Sequence, residues 1–182
     1  GGLLADGFYL PMADSAYGFQ EIVGFEVARF TSRGVALYQI GNGSGNHEQR
    51  IKNCHIHHCA NGIGSHSLVD GASPGHNMLL QDSIIRDCTA GIYTADLSGG
   101  FGVQDQLYRN TIANNGVGFR NHSRRYSYWV DNIFQGNGIA VVENNVTPNG
   151  KLGGNGLSDF NSYFGGTHLW DCGGAGFKDS LA

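Results

Sequence analysis

Four side chains suited to proton transfer and anion binding lie in the middle of the chain: Tyr93, Arg120, His66 and His122. β-Elimination at a uronate, or epimerisation at its C5, needs a group that neutralises the carboxylate, a base for the C5 proton and an acid. Arg120 can pair with a carboxylate through two hydrogen bonds. We therefore predict that Arg120 neutralises a uronate, that His122 or His66 is the base and that Tyr93 is the acid. The base and acid roles are interchangeable on this evidence.

A second group of candidate residues is a histidine pair, His55 and His57, together with Glu26. On a strand, residues two positions apart point to the same side about 6 to 7 Å apart, so both imidazoles can reach one ion. Glu26 occupies the position one repeat before His55, and Arg86 the position one repeat after His57. Three candidate zinc ligands therefore converge. An exposed histidine pair is also ordinary sheet surface, so we predict no cofactor and leave a divalent cation at this place as the open alternative.

A repeat of short extended segments has to position these residues. Apolar runs of three to five residues, cut by Asn and Gly, recur with almost no helical periodicity. The aliphatic anchors of five repeats are 29, 29, 27 and 21 residues apart. Strands joined by loops of variable length tolerate such spacing, whereas paired helices do not. We predict an all-β chain in which each strand stacks on its own copy one repeat later.

Stacking in register predicts two aliphatic ladders inside the molecule. The first consists of Val27, Ile56, Ile85, Ile112 and Ile133. The second consists of Val35, Ile63, Ile92, Phe119 and Ile139. Two residues before the first ladder, Ser83, Asn110 and Asp131 share its inward parity near a turn, where an Asn side chain can hydrogen-bond along the stack.

The segment from Tyr108 to Phe119, echoed in Ile51 to Ile63 and Leu80 to Ile92, resembles the repeat of the pectin-lyase-like superfamily. The resemblance covers about residues 20–165. It implies a single-stranded right-handed parallel β-helix of about five to six coils, with residues 1–182 as one domain. Residues 1–20 and 157–182 are the candidate end structures. The chain begins with glycine rather than methionine, so we also expect a processed form or a fragment of a longer β-helix.

The superfamily includes pectate and alginate lyases, uronate epimerases, polygalacturonases, pectin methylesterases, fructotransferases and phage tailspikes. The paired-Asp and GHG motifs of polygalacturonases and the DPHD motif of mannuronan epimerases do not occur in this chain; the nearest string, Asp70 to His76, is not a match. The resemblance further implies that substrate lies across an outward sheet face beside long loops, as it does in pectate lyases.

Side-chain alternation places the proton-transfer residues on one outward face. With the second ladder inside, two outward columns follow: Ala36, Gly64, Tyr93, Arg120, Ala140, and then Tyr38, His66, Ala95, His122, Val142. The long connections that leave this strand would form a wall beside the face and so a groove for an extended polymer. We assign substrate binding to Tyr38, Asp96, Arg124 and Arg125. A tyrosine beside an arginine is also an ordinary favourable cross-strand pair.

The absence of carboxylates from these ten outward positions bears on the reaction type. Glycoside hydrolysis usually needs two carboxylates about 5 to 9.5 Å apart. We therefore expect an enzyme of the lyase or epimerase type that acts on an extended acidic polysaccharide. Two alternatives remain: a glycosidase or fructotransferase that uses loop carboxylates, and a noncatalytic binding or structural β-helix such as an adhesin or tailspike. The loop carboxylates available to the first alternative are Asp70, Asp96, Asp105 and Glu143.

The charge balance of the chain excludes several partner classes. Its formal net charge is -4, so it has no basic footprint for nucleic acid or an anionic membrane. No apolar run approaches the roughly 18 to 20 residues of a membrane span. We expect a polysaccharide partner, no nucleic acid, no membrane, and oligomers through the β-helix ends or faces as an open option. A secreted location, extracellular or periplasmic, goes with this expectation.

Overall fold

Twenty β-strands in three sheets make up the described part of the chain. The structure is a computed structural model that describes residues 5–12, 19–39, 47–67, 76–95, 105–121, 127–143, 158–171 and 177–178. No helix long and apolar enough to cross a membrane occurs in these ranges.

Each sheet collects one strand from successive repeats. Sheet A contains β1 (Asp6–Met12), β4 (Arg33–Gln39), β7 (Asn61–Ser67), β10 (Ala90–Ala95), β13 (Val117–Asn121), β16 (Ile139–Glu143), β19 (His168–Asp171) and β20 (Phe177–Lys178). Sheet B contains β2 (Phe19–Val23), β5 (His47–Lys52), β8 (His76–Gln81), β11 (Asp105–Tyr108), β14 (Ser127–Val130) and β17 (Ser158–Asp159). Sheet C contains β3 (Glu26–Ala28), β6 (His55–His57), β9 (Ile84–Arg86), β12 (Thr111–Ala113), β15 (Ile133–Gln135) and β18 (Ser162–Phe164).

The pairing between neighbouring strands defines a parallel β-solenoid. Every strand pair recorded for the described residues is parallel except β19 with β20, which is antiparallel. The predicted all-β stack of each strand on its own copy is therefore confirmed. The described parts of the two proposed end segments contribute β1 at one end and β17 to β20 at the other.

Two columns of left-handed residues bend the chain at the ends of sheet C. The column before sheet C consists of Gly24, Asn53, Asp82, Arg109, Asp131 and Phe160. The column after it consists of Arg29, His58, Asp87, Asn114, Gly136 and Gly165. Their φ angles lie between 51° and 75°, a conformation that Gly, Asn and Asp adopt at least cost. This requirement explains why Asn, Asp and Gly interrupt the apolar runs at regular places.

A buried polar or thiol side chain follows the left-handed residue at most corners. Before sheet C these are Cys54, Ser83, Asn110, Asn132 and, partly buried, Asn161; after it they are Cys59, Cys88, Asn115 and Asn137. The Asn110 Oδ1 accepts from the backbone N–H of Ser83 at 3.0 Å, while its Nδ2 donates to the Leu80 carbonyl at 3.0 Å and to the Asn132 Oδ1 at 3.0 Å. These stacked corner side chains thus form hydrogen bonds with backbone groups that the bend removes from the sheets.

The interior contains the aliphatic ladders that the repeat predicts, over their first four members. Val27, Ile56, Ile85 and Ile112 are buried and aligned in register. Val35, Ile63, Ile92 and Phe119 are fully buried and aligned likewise. Among the described residues, Cys54, Cys59 and Cys88 are buried free thiols.

The prediction for the fifth member of each ladder is wrong. Phe134, not Ile133, is the Cα partner of Ile112 and is buried, whereas Ile133 is 39% exposed. The cause lies at the preceding corner, where Asp131 takes the left-handed conformation and Asn132, not Asp131, becomes the buried residue.

The same correction applies to sheet A. Val141, not Ile139, is the partner of Phe119. Val142 therefore takes the place beside Arg120 that the sequence assigned to Ala140, which lies in the core cluster instead.

The register at β15 can be tested with two neighbouring substitutions. Phe134→Ala removes a fully buried ring that stacks on Tyr163, with centroids 5.1 Å apart, and should lower the free energy of unfolding by about 3 to 5 kcal/mol. Ile133→Ala, on the exposed side of the same strand, should change it by less than about 1 kcal/mol. Urea unfolding measures both, and equal losses would contradict the corrected register.

The contribution of the stacked corner asparagines to stability can be tested in the same way. Asn110→Ala leaves the Ser83 N–H and the Leu80 carbonyl without their side-chain partner, so we expect a loss of about 2 kcal/mol or more. The control is Gln135→Ala at an exposed position, which should be nearly neutral. A ladder that does not stabilise the fold would give similar urea midpoints for the two variants.

Candidate functional site

Tyr93 and Arg120 lie side by side on the outer face of sheet A. They are Cα partners on β10 and β13, so their side chains leave the same face of neighbouring parallel strands. Both are partly buried. Gly64 precedes Tyr93 in this column and Val142 follows Arg120. The repeat therefore places a phenol beside a guanidinium, as the sequence predicts, while their catalytic roles stay predictions.

An apolar patch adjoins this pair. Ala90, Val117 and Val142 form a buried cluster separate from the main core, with Tyr93 and Ile139 packed against it. Ala90, Val117 and Ile139 are aligned in register on β10, β13 and β16. The sequence did not indicate this patch, because it depends on the corrected register of β16. Tyr93 and Ile139 cover this cluster, so the partly exposed Tyr93 ring is the surface on which a flat, C–H-rich ring can pack.

Among the side chains that the structure describes, none forms an ion pair with Arg120. The arginine ion pairs within the described ranges are Arg33 with Asp6, Arg50 with Glu48, Arg86 with Asp87 and Arg109 with Asp82. None of them involves Arg120. A guanidinium beside an apolar patch, with no carboxylate partner in this part of the chain, is suited to binding an anion in two-pronged geometry.

The other residues predicted for this face are only partly located. The backbone of His66 on β7 is in register with Tyr38 on β4 and with Ala95 on β10. This column is two residues further along the strands than that of Tyr93. His122, Asp96, Arg124 and Arg125 lie outside the described residues. The structure thus brings Tyr93 and Arg120 together and places two further candidates on neighbouring strands.

Sheet C carries the second group of candidate residues. Glu26 on β3 is the Cα partner of His55 on β6, and His57 is the partner of Arg86 on β9, as the repeat predicts. One ligand atom from each of Glu26, His55 and His57 lies within 4.8 Å of the others. The two imidazole rings are tilted by 35° with centroids 4.4 Å apart. The predicted convergence of a carboxylate and two imidazoles is confirmed.

Hydrogen bonds hold each member of this cluster. His57 Nε2 lies 2.9 Å from the Glu26 Oε1, and His57 Nδ1 lies 2.7 Å from the Nδ1 of His58. The Arg86 Nε donates to the Nε2 of His55 at 2.9 Å. Sequence reasoning missed His58 as a partner, because only its left-handed corner conformation turns its ring toward His57.

Two pKa values in the cluster are displaced. The hydrogen bond from His57 and the charge of that imidazole lower the pKa of the Glu26 carboxyl. Partial burial lowers the pKa of His55, and the positive charges of His57 and Arg86 lower it further, while Glu26 acts in the opposite direction. His55 is therefore neutral over a wider pH range than an ordinary histidine.

Comparison with known proteins does not assign the chain to a family. No protein-family model matches the chain, and no curated protein and no solved structure matches it either. The family resemblance is therefore carried by the repeat pattern alone, and the chain is assigned only to an architecture, the parallel β-solenoid.

Two substitutions should move the pKa of His55 in opposite directions. Arg86→Gln removes a positive charge beside the ring and should raise the pKa, whereas Glu26→Gln removes a negative charge and should lower it. NMR titration of the histidine ring protons in the full chain measures both shifts. A shift of the same sign in the two variants would mean that these charges do not control His55.

Proposed function

We propose that the outer face of sheet A binds an extended acidic polysaccharide and either cleaves it by β-elimination or epimerises a uronate at C5. The single observation that carries the proposal is the register pairing of Tyr93 with Arg120 beside the apolar patch of Ala90, Val117 and Val142. A right-handed winding of about five to six coils, a relationship to the pectin-lyase-like superfamily and a secreted location belong to the same proposal.

Arg120 is the group that receives the carboxylate. Partial burial places its guanidinium in a medium of lower dielectric than water, where a charge-assisted hydrogen bond is stronger. Neutralising the uronate carboxylate stabilises the carbanion-like charge that develops when the C5 proton leaves. Arg120 thereby makes the adjacent C–H bond more acidic.

Tyr93 and a histidine complete the reaction in this proposal. The Tyr93 ring is one strand away from Arg120, a distance of about 4.8 Å between backbones, so a sugar held by its carboxylate lies over the phenol. A base, His122 or His66, takes the C5 proton. In β-elimination the C4–O bond then breaks, a C4–C5 double bond forms and Tyr93 donates a proton to the leaving oxygen. In epimerisation a proton returns to C5 from the opposite face.

One loop carboxylate of the hydrolase alternative is poorly placed for this face. Asp105 is 2% exposed and belongs to β11 of sheet B, not to sheet A. Asp70 and Asp96 lie outside the described residues. A noncatalytic binding surface is the second candidate, and the partly exposed Tyr93 ring favours it because ring packing contributes to binding without proton transfer.

The proposed activity can be measured with the full chain and alginate, pectate or glycosaminoglycans as substrates. The ultraviolet absorbance of unsaturated uronates reports elimination, and exchange of the C5 proton in deuterated water reports epimerisation. Arg120→Ala should lower kcat/KM by about 100-fold or more. Tyr93→Phe should lower kcat by about 100-fold with little change in KM, since it removes only the proton donor.

Arg50→Ala is the matched control, because Arg50 lies on sheet B, pairs with Glu48 and stacks over the Phe19 ring. It should retain full activity. If the protein binds a polysaccharide, loses that binding in Arg120→Ala and forms no product, the face is a noncatalytic binding surface. Activity unchanged by Arg120→Ala would place the reaction elsewhere.

A further inference from the structure

We propose that Glu26, His55 and His57 on sheet C bind one divalent transition-metal ion of the zinc class. This site lies on a different sheet from the Tyr93 and Arg120 face. It therefore stands independently of the polysaccharide proposal.

The backbone already brings the three ligands to one place. His55 and His57 are two residues apart on β6 and stand on the same face, while Glu26 is in register with His55 on β3. Ligands about 2.0 to 2.1 Å from a tetrahedral zinc ion lie about 3.3 Å from one another. The ligand atoms here lie within 4.8 Å. The Glu26 Oε1 and the His57 Nε2 are already 2.9 Å apart, so the remaining adjustment falls mainly on the distances to His55.

The donor set selects the class of ion. Two imidazole nitrogens and one carboxylate oxygen suit zinc and its neighbours in the first transition row, whereas calcium and magnesium prefer oxygen ligands alone. Three protein ligands leave the fourth tetrahedral position for water or an anionic ligand. The exposure of Glu26 puts the cluster within reach of solvent.

His58 supplies the outer contact that such a site needs. Metal-binding histidines usually donate their second ring N–H to a neighbouring acceptor, which fixes the ring and its tautomer. The Nδ1 of His57 lies 2.7 Å from the Nδ1 of His58. With the ion bound, His57 would donate its Nδ1–H to His58 and lose the Nε2–H that it shares with Glu26, so that its Nε2 lone pair faces the ion.

Arg86 is a built-in competitor for the ion. Its Nε donates to the Nε2 of His55 at 2.9 Å, so it occupies the lone pair of that nitrogen, which we assign as the ligand atom of His55. Asp87 pairs with the guanidinium and offers it an alternative partner. Metal binding therefore requires Arg86 to release His55, and removing Arg86 should strengthen binding rather than weaken it. Zn²⁺ bound by histidines away from Arg86 would not show this sign.

The test is calorimetric titration of the full chain with Zn²⁺, supported by the visible spectrum of the Co²⁺ complex. We expect one ion per chain and strong tetrahedral Co²⁺ bands. Glu26→Gln and His55→Gln should each weaken Zn²⁺ binding by at least about 10-fold, because even the loss of a residue that only orients a ligand has an effect of that size. Arg86→Gln should tighten it. Circular dichroism establishes that each variant is folded. Because the Glu26 side chain is 69% exposed, Glu26→Gln should leave the core intact.

Control variants address adventitious binding by other histidines. His76→Gln changes a residue of sheet B whose Cα partner is His47, and it should leave Zn²⁺ affinity unaltered. Excess Ca²⁺ should not displace Zn²⁺. The proposal is overturned if the chain binds no Zn²⁺, if binding survives both Glu26→Gln and His55→Gln, or if His76→Gln abolishes it.

Discussion

The alignment of each strand with its own copy one repeat later is the constraint on which the rest of this structure depends. Parallel backbone hydrogen bonds can form only if equivalent residues of successive repeats meet. The interior ladders, the Tyr93 and Arg120 pair, and the cluster of Glu26 with two histidines all follow from that alignment. Residues nearly thirty positions apart in the chain become neighbours on one face without any loop having to direct them.

The corners between strands keep the backbone hydrogen-bonded where the chain leaves the sheets. A left-handed residue turns the chain, and the next side chain enters the interior to pair the backbone groups released by the turn. Asn suits this task because one amide both accepts and donates. At Asn110 and Asn115 the same amide also contacts the next ladder member, so corner and stack are stabilised by one interaction.

The sequence predicted the fold well because a repeated pattern averages out local ambiguity. It failed in the fifth repeat, where Ile133 looked like the better aliphatic anchor and only the left-handed Asp131 shows that Phe134 points inward. The candidate sites were predicted as far as register decides them, which covers Tyr93, Arg120, Glu26 and the two histidines. The positions of His58 and Arg86 side chains depend on torsions that no spacing encodes.

The order of strands within the sheets makes local unfolding harder at the Tyr93 and Arg120 pair than at Glu26. In a linear stack, an inner layer can separate only by breaking the interfaces on both of its sides, whereas an outermost layer loses one. Tyr93 and Arg120 belong to β10 and β13, which have neighbours on either side. Glu26 belongs to β3, the outermost strand of sheet C among the described strands. An ion shared with β6 would therefore stabilise an outermost strand that otherwise opens easily. The extent of local unfolding at that end would then depend on the concentration of the metal.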